Sequence, residues 1–360
     1  MDAFAPIWAL GLMSGTSMDG IDAAIVETDG RRVTAFGPAA TTPYDDDLRD
    51  RIRAALGNAA PDPAIARGLT DAHAACIEDL LSQHPEYKDK IQIVGLHGHT
   101  VLHAPADGVT VQIGDGPRLA ARLGIDVVSD FRTADVAAGG QGAPFAPLYH
   151  RALCDDIVGP VVVLNIGGIS NVTWIDGAET DPVAFDTGPG NALLDDWIES
   201  TTDLPYDRDG QVSSEGNVDS TTLARLLDNP YFDAPPPKSL DRLDFNIDAV
   251  HGLSPADGAA TLARFTCETV VSNLRQLPTA PVRILVTGGG RKNPTLMAGL
   301  SELSGVPVAP VEAVGWDGDA IEAQAFGFLA VRSLRGLPLS VPSTTGVPVP
   351  TTGGRLHHAA

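Results

Sequence analysis

The stretch GLMSGTSMDGID, residues 11–22, lies between two apolar segments near the start of the chain. The segment before it is apolar and extended, and the segment after it alternates like a strand up to the turn pair Asp29-Gly30. Gly15 and Gly20 can adopt positive φ, and successive N–H groups in such a turn can face an anion. The pattern predicts a strand, a glycine turn and a second strand. An ordinary β-hairpin turn is the alternative to a ligand site.

A similar pattern begins at residue 161, where the apolar run VVVLNIGG is followed by a second strand, NVTWID. At roughly 100–200 residues per domain, a chain of 360 residues has room for two domains. We therefore predict two α/β lobes that face each other across a cleft. Neither glycine turn continues into the lysine of a P-loop, and no strand–GxGxxG–helix unit occurs in the sequence.

The composition excludes several classes of function. The formal net charge is −22, and such a field repels nucleic acid and anionic membrane surfaces. No apolar run approaches the ~20 residues that would cross a bilayer, and no cationic region precedes the first apolar stretch, so we expect neither a membrane span nor a signal peptide. Cys76, Cys154 and Cys267 lie far apart, which predicts a reducing, cytoplasmic location without a disulfide framework.

Two further glycine loops follow apolar strands. In AFDTGPGN, residues 184–191, Asp186 is expected at the end of a strand, where a carboxylate is well placed to act as a general base. The alternative is that Asp186 only caps a helix or forms a turn. In VTGGGRKNP, residues 286–294, three consecutive glycines would let a flat ligand lie against the backbone, and a plain loop is the alternative.

Taken in order, these motifs resemble one enzyme family. The family is anhydro-N-acetylmuramic acid kinase, one of the actin-like ATPases and sugar kinases. The stretches that carry the resemblance are GLMSGTSMDGIDAA, LHGHTV, VQIGDG, DFRTADVAAGGQGAPFAP, LNIGGISNVTWI, AFDTGPGNALLDDW, VTGGGRKNPTLM and DAIEAQAFGFLA. They span nearly the whole chain, and GTSMDG with GGQGAP and DTGPGN is a highly specific combination.

The resemblance implies a fold. It is the α/β, two-lobed actin-like (ribonuclease H-like) ATPase fold with an interlobe cleft. We assign residues 1–155 and 325–360 to the N-terminal lobe, with the first phosphate loop and part of the sugar site. Residues 156–324 would form the C-terminal lobe, with a second phosphate loop and an adenosine loop.

The resemblance also implies a reaction. ATP, water and 1,6-anhydro-N-acetylmuramic acid yield N-acetylmuramic acid 6-phosphate and ADP, a step of peptidoglycan recycling. Asp186 would activate the water that attacks the anomeric carbon, and Glu322 would belong to the sugar site, with His97, His99 and Thr100. The ATP-binding residues would be Gly15, Thr16, Ser17, Met18, Asp19, Gly20, Ile21 and Asp22 in the phosphate loop and Gly288, Gly289 and Gly290 in the adenosine loop.

The chain departs from the family pattern at residue 99. The family usually has His-Gly-Gln-Thr-Val where this chain has His97-Gly98-His99-Thr100-Val101. Glutamine and neutral histidine can each donate and accept a hydrogen bond, so the site can survive this change. His97, His99 and His103 also have a spacing that could suit a zinc ion, but no Cys or carboxylate cluster adjoins them in the sequence.

A protein of net charge −22 must neutralise the triphosphate of ATP. We therefore expect a Mg²⁺ requirement, with Asp19 or Asp22 near the metal through water. Arg291 and Lys292 are the main cationic candidates in the glycine loops.

Two other functions stay open from the residues alone. An actin-like sugar kinase without the hydrolytic step would use Asp186 to deprotonate a sugar hydroxyl. A non-catalytic, actin-like nucleotide-binding module is the second, although no extra partner domain or tail favours it. The sequence also leaves open whether the chain forms a homodimer and whether it accepts peptide-bearing sugars.

Overall fold

The computed structural model describes residues 4–15, 18–240 and 244–359. Numbered along the chain, its strands are β1 Ile7–Ser14, β2 Gly20–Thr28, β3 Val33–Pro43, β4 Ile91–Ala104, β5 Val109–Ile113, β6 Asp126–Ser129, β7 Val161–Ile166, β8 Ile169–Ile175, β9 Val183–Pro189, β10 Arg283–Thr287, β11 Val308–Pro310 and β12 Arg355–His357. Its α-helices are α1 Asp46–Ala55, α2 Pro63–Gln83, α3 Gly116–Leu123, α4 Thr133–Ala137, α5 Pro147–Leu153, α6 Ala192–Thr201, α7 Ser220–Leu227, α8 Pro255–Asn273, α9 Pro294–Ser304, α10 Ile321–Leu334 and α11 Pro342–Thr345.

The chain folds into two compact units. Unit 1 contains Met1–Asp155 and Asp319–Ala360, and unit 2 contains Asp156–Gly318. The chain returns to unit 1 at Asp319 and not at residue 325, because α10 packs against β1, β2 and β4 of the first sheet. Glu322 is therefore a residue of unit 1, whereas the sequence assigned it to the second lobe.

The sheet of unit 1 has the strand order β12-β6-β4-β1-β2-β3, with β5 paired to β4. Neighbours among β1, β2 and β3 are antiparallel, while β4 runs parallel to β1 and β6 runs parallel to β4. A Cβ at Gly11 would lie 1.7 Å from Ala323 O, and a Cβ at Gly95 would lie 2.1 Å from Phe326 O. These two glycines let α10 approach the central strands closely, and this approach sets the position of Glu322.

The sheet of unit 2 has the order β11-β10-β7-β8-β9. Strands β7, β8 and β9 form an antiparallel meander. Strand β10 pairs in parallel with β7, and β11 pairs in parallel with β10. Both units thus have an antiparallel meander extended by parallel strands beside its first strand, which is the ribonuclease H-like arrangement of the actin-like ATPases. The predicted α/β, actin-like class is confirmed. The interlobe cleft stays a prediction.

Two helices follow the meander of unit 1. Gly57 adopts positive φ (76°) in the connection between α1 and α2. Each helix has its own cap, because Asp45 accepts from the Leu48 N–H and Asp62 accepts from the Ala64 N–H. In unit 2, the polar, Pro-rich stretch of residues 201–250 contains α7 and several 3-10 turns. In the part of the chain that the structure describes, none of the helices has the length and apolarity to cross a membrane.

Candidate active site

The turn between β1 and β2 is held from outside by Tyr44, which directly follows β3, and by α1. Within the turn, the Met18 N–H donates to Gly15 O at 3.1 Å, and Met18 adopts positive φ (55°). The Tyr44 N–H donates to Asp19 O at 3.1 Å, and Arg49 Nε of α1 donates to Met18 O at 3.2 Å. These two bonds hold the backbone of the predicted phosphate loop.

The other residues of this loop differ in their roles. Gly20 does not adopt the expected positive φ; a Cβ there would lie 2.3 Å from Thr42 O, so glycine is needed because β3 passes close by. Ile21 is buried in the core of unit 1. Thr16 and Ser17 lie outside the described residues.

Acidic side chains converge where α10 begins in unit 1. Asp22 Oδ1 accepts from Thr41 Oγ1 at 2.6 Å. Burial raises the pKa of Asp22 first, and the negative charges of Asp319 and Asp19 raise it further. Glu322 lies in the first turn of α10, and its side chain is exposed to solvent in part. Partial loss of hydration, followed by the charge of Asp22, raises the pKa of Glu322.

The cation that faces Glu322 is Arg132, whose positive charge works against the rise in the pKa of Glu322. Arg132 donates through Nε and Nη2 to His97 Nε2 at 3.2 and 3.0 Å, and through Nη1 to Gly142 O at 2.7 Å. A guanidinium can only donate, so His97 Nε2 is an acceptor and its Nδ1–H donates to Gly98 O at 2.9 Å. Burial and the charge of Arg132 hold the pKa of His97 well below its usual value, which keeps the ring neutral.

His99 pairs with Ser14 at the end of β1, directly before the predicted phosphate loop, and is only 1% exposed. Its Nδ1 lies 2.8 Å from Ser14 Oγ, which in turn lies 2.5 Å from the hydroxyl of Tyr44. Burial lowers the pKa of His99 to about 4. The geometry therefore connects His99 to the residue that precedes the loop. Thr100, also assigned to the sugar site, accepts from Gln112 Nε2 at 3.3 Å.

Asp186 is the chemically distinctive carboxylate of unit 2. It lies within β9 and not at the end of the strand, opposite Asn171 at a register shift in the β8–β9 pair. Burial raises its pKa to about 7, against the effect of the Leu240 N–H, which donates to Oδ2 at 2.9 Å. Among the described residues, none donates a hydrogen bond to its Oδ1. One oxygen is held, and the other is available to take a proton near neutral pH.

The glycine loops of unit 2 gather around the end of β7. Gly288 adopts positive φ (75°), and a Cβ there would lie 2.3 Å from Asn165 Oδ1. A Cβ at Gly290 would lie 2.4 Å from the side chain of Ile166, so this glycine serves packing. Gly289 is exposed, and a Cβ there would have its nearest neighbour 3.6 Å away. Among the three glycines, Gly289 is therefore the one that faces solvent and has room for a side chain.

Arg291 has a structural role that the sequence did not indicate. Its Nε lies 2.8 Å from Glu312 Oε1, and its Nη1 donates to Gly288 O at 3.0 Å. Its side chain is only 4% exposed. The guanidinium therefore supports the glycine loop from behind, and Lys292, which is exposed, is the cation of this pair that reaches solvent.

Each unit contains a cavity of small-molecule size. One of about 460 Å³ lies within unit 1 beside His97, Gly98 and Gln112, and its volume is within the ~300–1,000 Å³ typical of small-molecule sites. A larger one of about 680 Å³ in unit 2 lies beside Phe232 and Gln276 and has none of the predicted site residues in its lining. Across the residues placed by the structure, no three His, Cys, Asp or Glu side chains are grouped to bind a metal ion directly.

Sequence reasoning missed Arg132, Ser14 and Tyr231. Arg132 and Ser14 lie inside the motifs DFRTAD and GLMSG, but their partners are 35 and 85 positions distant along the chain. Tyr231 lies in the Pro-rich segment before α8, where its hydroxyl donates to Asp186 O at 2.7 Å. Only the fold brings each of these groups to its partners.

Comparisons with known proteins agree with the motifs. The model of the anhydro-N-acetylmuramic acid kinase family matches residues 7–359. Anhydro-N-acetylmuramic acid kinase of Rhodospirillum rubrum is 53% identical over 359 residues, which cover 98% of this chain and 95% of that protein. The protein of the same name from Paramagnetospirillum magneticum is 52% identical over 352 residues, which cover 97% of this chain and 99% of that protein. Among solved structures, (R)-2-hydroxyglutaryl-CoA dehydratase component A of Acidaminococcus fermentans aligns with 91% of this chain and 98% of its own, at 12% identity and a TM-score of 0.48.

Proposed function

Since the chain belongs to the anhydro-N-acetylmuramic acid kinase family, we propose that Asp186 is the general base of the reaction after which that family is named. The protein is an ATP-dependent kinase that opens 1,6-anhydro-N-acetylmuramic acid and phosphorylates O6. The observation that carries the role of Asp186 is its environment: burial raises its pKa to about 7, and the Leu240 N–H occupies only Oδ2. A base whose pKa lies near the working pH transfers protons most effectively.

The proposed step balances with one carboxylate. Asp186 takes a proton from water as the water oxygen forms a bond to the anomeric carbon. The bond between the anomeric carbon and O6 breaks, and O6 bonds to the γ-phosphorus of ATP as ADP leaves. Because phosphorus captures O6, the leaving oxygen needs no proton from a second carboxyl group, unlike the leaving group of an ordinary glycosidase.

The sugar site of the proposal centres on Glu322 in unit 1. We infer that its carboxylate accepts hydrogen bonds from sugar hydroxyls, which are good donors to a charged acceptor. Arg132 faces this carboxylate, and His97 orients Arg132 through the bonds to Nε2. His97 would thus act through Arg132, and His99 would act through Ser14 and the phosphate loop.

ATP would bind the Gly15–Asp22 turn with its phosphates and the Gly288–Gly290 loop with its adenosine. The acidic group fits a hydrated Mg²⁺, because Thr41 occupies only one oxygen of Asp22 and the charges of Asp19 and Asp319 raise the pKa of Asp22. Bound there through water, Mg²⁺ would neutralise phosphate charge. We expect activity to be lost in excess EDTA and restored by Mg²⁺, and full activity in EDTA would contradict this part of the proposal.

We also infer a cytoplasmic location. All three cysteines are free and buried, which suits a reducing compartment such as the cytoplasm.

Product analysis in ¹⁸O-water tests the proposed step. We expect the label on the anomeric hydroxyl and none in the phosphate ester, with the product trapped early because the anomeric hydroxyl also exchanges with solvent. An unlabelled-water reaction, analysed in parallel, is the control. A phosphorylated sugar that retains the anhydro bridge would indicate a sugar kinase without hydrolysis. Label in the phosphate would mean that water attacks phosphorus, and either result would overturn the role of Asp186.

A further inference from the structure

The segment of residues 231–240 covers the open edge of β9 at Asp186. β9 is an edge strand, so backbone groups that do not pair with β8 need other partners. The Tyr231 hydroxyl donates to Asp186 O at 2.7 Å, and the Asp186 N–H donates to Lys238 O at 3.1 Å. The Leu240 N–H donates to the carboxylate at 2.9 Å. One short segment therefore holds both the backbone and the side chain of the proposed base.

Lys238 links the two ends of this segment by hydrogen bonds. Its Nζ donates to Tyr231 O at 3.1 Å and to Phe232 O at 3.4 Å. The ammonium also lies 4.7 Å from the centroid of the Tyr231 ring and 5.7 Å from that of Phe185 in β9. The ammonium is thus held over two aromatic faces and by two carbonyls, and the negative charge of Asp233 in the same segment stabilises it further. Lys238 thus fixes Tyr231 relative to β9.

No charged side chain among the described residues shifts the pKa of Asp186. Burial and the Leu240 N–H are the causes of its pKa shift. The residue opposite it on β8 is the neutral Asn171, and Asn273 of α8 donates to the adjacent Thr187 O. In the covering segment, Tyr231 lies close enough to Asp186 to feel its charge, and Asp233 acts on Lys238. Beyond the segment, Asp244 acts on Tyr231.

We propose, on the basis of the function proposed above, that Tyr231 and Lys238 are positioning residues that orient the Asp186 carboxylate for the attacking water. With the backbone of Asp186 fixed on both sides, Leu240 engages Oδ2 and the proton goes to Oδ1. Neither residue touches the reacting atoms. Each acts through the segment that carries the Leu240 N–H.

The test compares Tyr231→Phe and Lys238→Met with the control Tyr206→Phe, whose ring is exposed and lies under Arg208 in the same unit. In Tyr231→Phe and Lys238→Met, we expect kcat to fall roughly ten-fold, the size of one lost hydrogen bond, with the KM for ATP unchanged. Loosening the Leu240 N–H raises the pKa of the base, since that bond stabilises the charged form. The acid limb of the pH profile therefore moves to higher pH in both variants and not in the control.

A purely structural role would lower the melting temperature and leave kcat and the acid limb unchanged, and that result would overturn the proposal. Tyr231→Phe removes a single oxygen atom, so it keeps the test decisive if Lys238→Met fails to fold. Wild-type protein that turns over no anhydro sugar would refute the proposed function itself. An active wild type and an inactive Asp186→Asn, with wild-type kcat in Tyr231→Phe, would refute only the positioning role.

Discussion

Asp186 in unit 2 and Glu322 in unit 1 are both carboxylates with raised pKa values, but they differ in what raises them. Burial alone raises the pKa of Asp186 to about 7, and only a hydrogen bond from a backbone N–H lowers it. Loss of hydration and the negative charge of Asp22 raise the pKa of Glu322, and the positive charge of Arg132 lowers it. The first group is isolated from other charges, and the second belongs to a charged cluster.

This difference suits two kinds of work. An isolated, desolvated carboxylate exchanges a proton near neutral pH, which is what a general base must do. A carboxylate beside an arginine and a second acid belongs to a network of interacting charged groups, and such a network suits the binding of a polar ligand. The predictions below test whether the two residues are separable in this way.

The largest effect is expected at Asp186. In Asp186→Asn the amide keeps the shape and can still accept from the Leu240 N–H, but it cannot take a proton from water. Loss of a general base costs about 10²–10⁴-fold in kcat. Steady-state rates of N-acetylmuramic acid 6-phosphate formation measure this loss.

ATP binding to the Asp186→Asn variant, measured by calorimetry, is the control and should persist. A folded variant with near-normal kcat would remove Asp186 from the chemistry and would end the contrast with Glu322.

The second effect is expected at Glu322 and appears in kcat/KM for the sugar. Glu322→Ala removes a charged acceptor, which typically costs ~1.5–3 kcal/mol or about 10–100-fold. If Glu322 only complemented the helix dipole of α10, the change would cost about 0.3–1 kcal/mol of stability and leave catalysis intact.

The matched control for Glu322 is Asp47→Ala. Asp47 is an exposed acid in the first turn of α1, also in unit 1, and its only ion pair among the described residues is a 3.5 Å contact with Arg51, so it reports the helix-dipole effect together with that surface pair. Equal kcat/KM values for the sugar in Glu322→Ala and Asp47→Ala would refute the substrate role.

Local sequence predicted much of the secondary structure, but it predicted the surroundings of Asp186 and Glu322 only in part. The start of α8 was predictable, because Ser254 caps it and Pro255 occupies its first turn. The turn residues from Asp317 to Ala320 also indicate the start of α10, with Glu322 in its first turn, although the N-cap Ala320 makes no side-chain cap. The contact of Tyr231 with Asp186 spans 45 positions, and no local pattern encodes it. Motifs therefore indicated which acids matter, while their pKa values depend on partners that only the fold supplies.

A third effect separates the two residues by pH. The base form of Asp186 must be present, so we expect kcat/KM for the sugar to rise with pH along an acid limb whose midpoint is near 7. Glu322→Gln should lower the limb's height and leave its midpoint in place, because Glu322 is not among the causes of the Asp186 pKa. A midpoint that moves in Glu322→Gln would show that the two carboxylates titrate together.

The smallest effect is on stability, and its sign follows from the same pKa values. The pKa of Asp186 is raised from 3.8 to about 7, so between these values the unfolded chain ionises while the native protein stays protonated. Stability then falls as pH rises through this window, by at most about 1.4 kcal/mol per pH unit from this group. Residue 186 does not titrate in Asp186→Asn, so the free energy of unfolding of this variant should exceed that of the wild type at pH 8, and the difference should vanish below about pH 4.

Glu322→Gln should change the free energy of unfolding in the same direction by a smaller amount, because Glu322 is exposed and faces Arg132. Urea unfolding at several pH values measures both curves. An Asp186→Asn variant that is less stable than the wild type at pH 8 would mean that the ionised carboxylate is stabilised in the native protein, and a base of raised pKa could not then reside there.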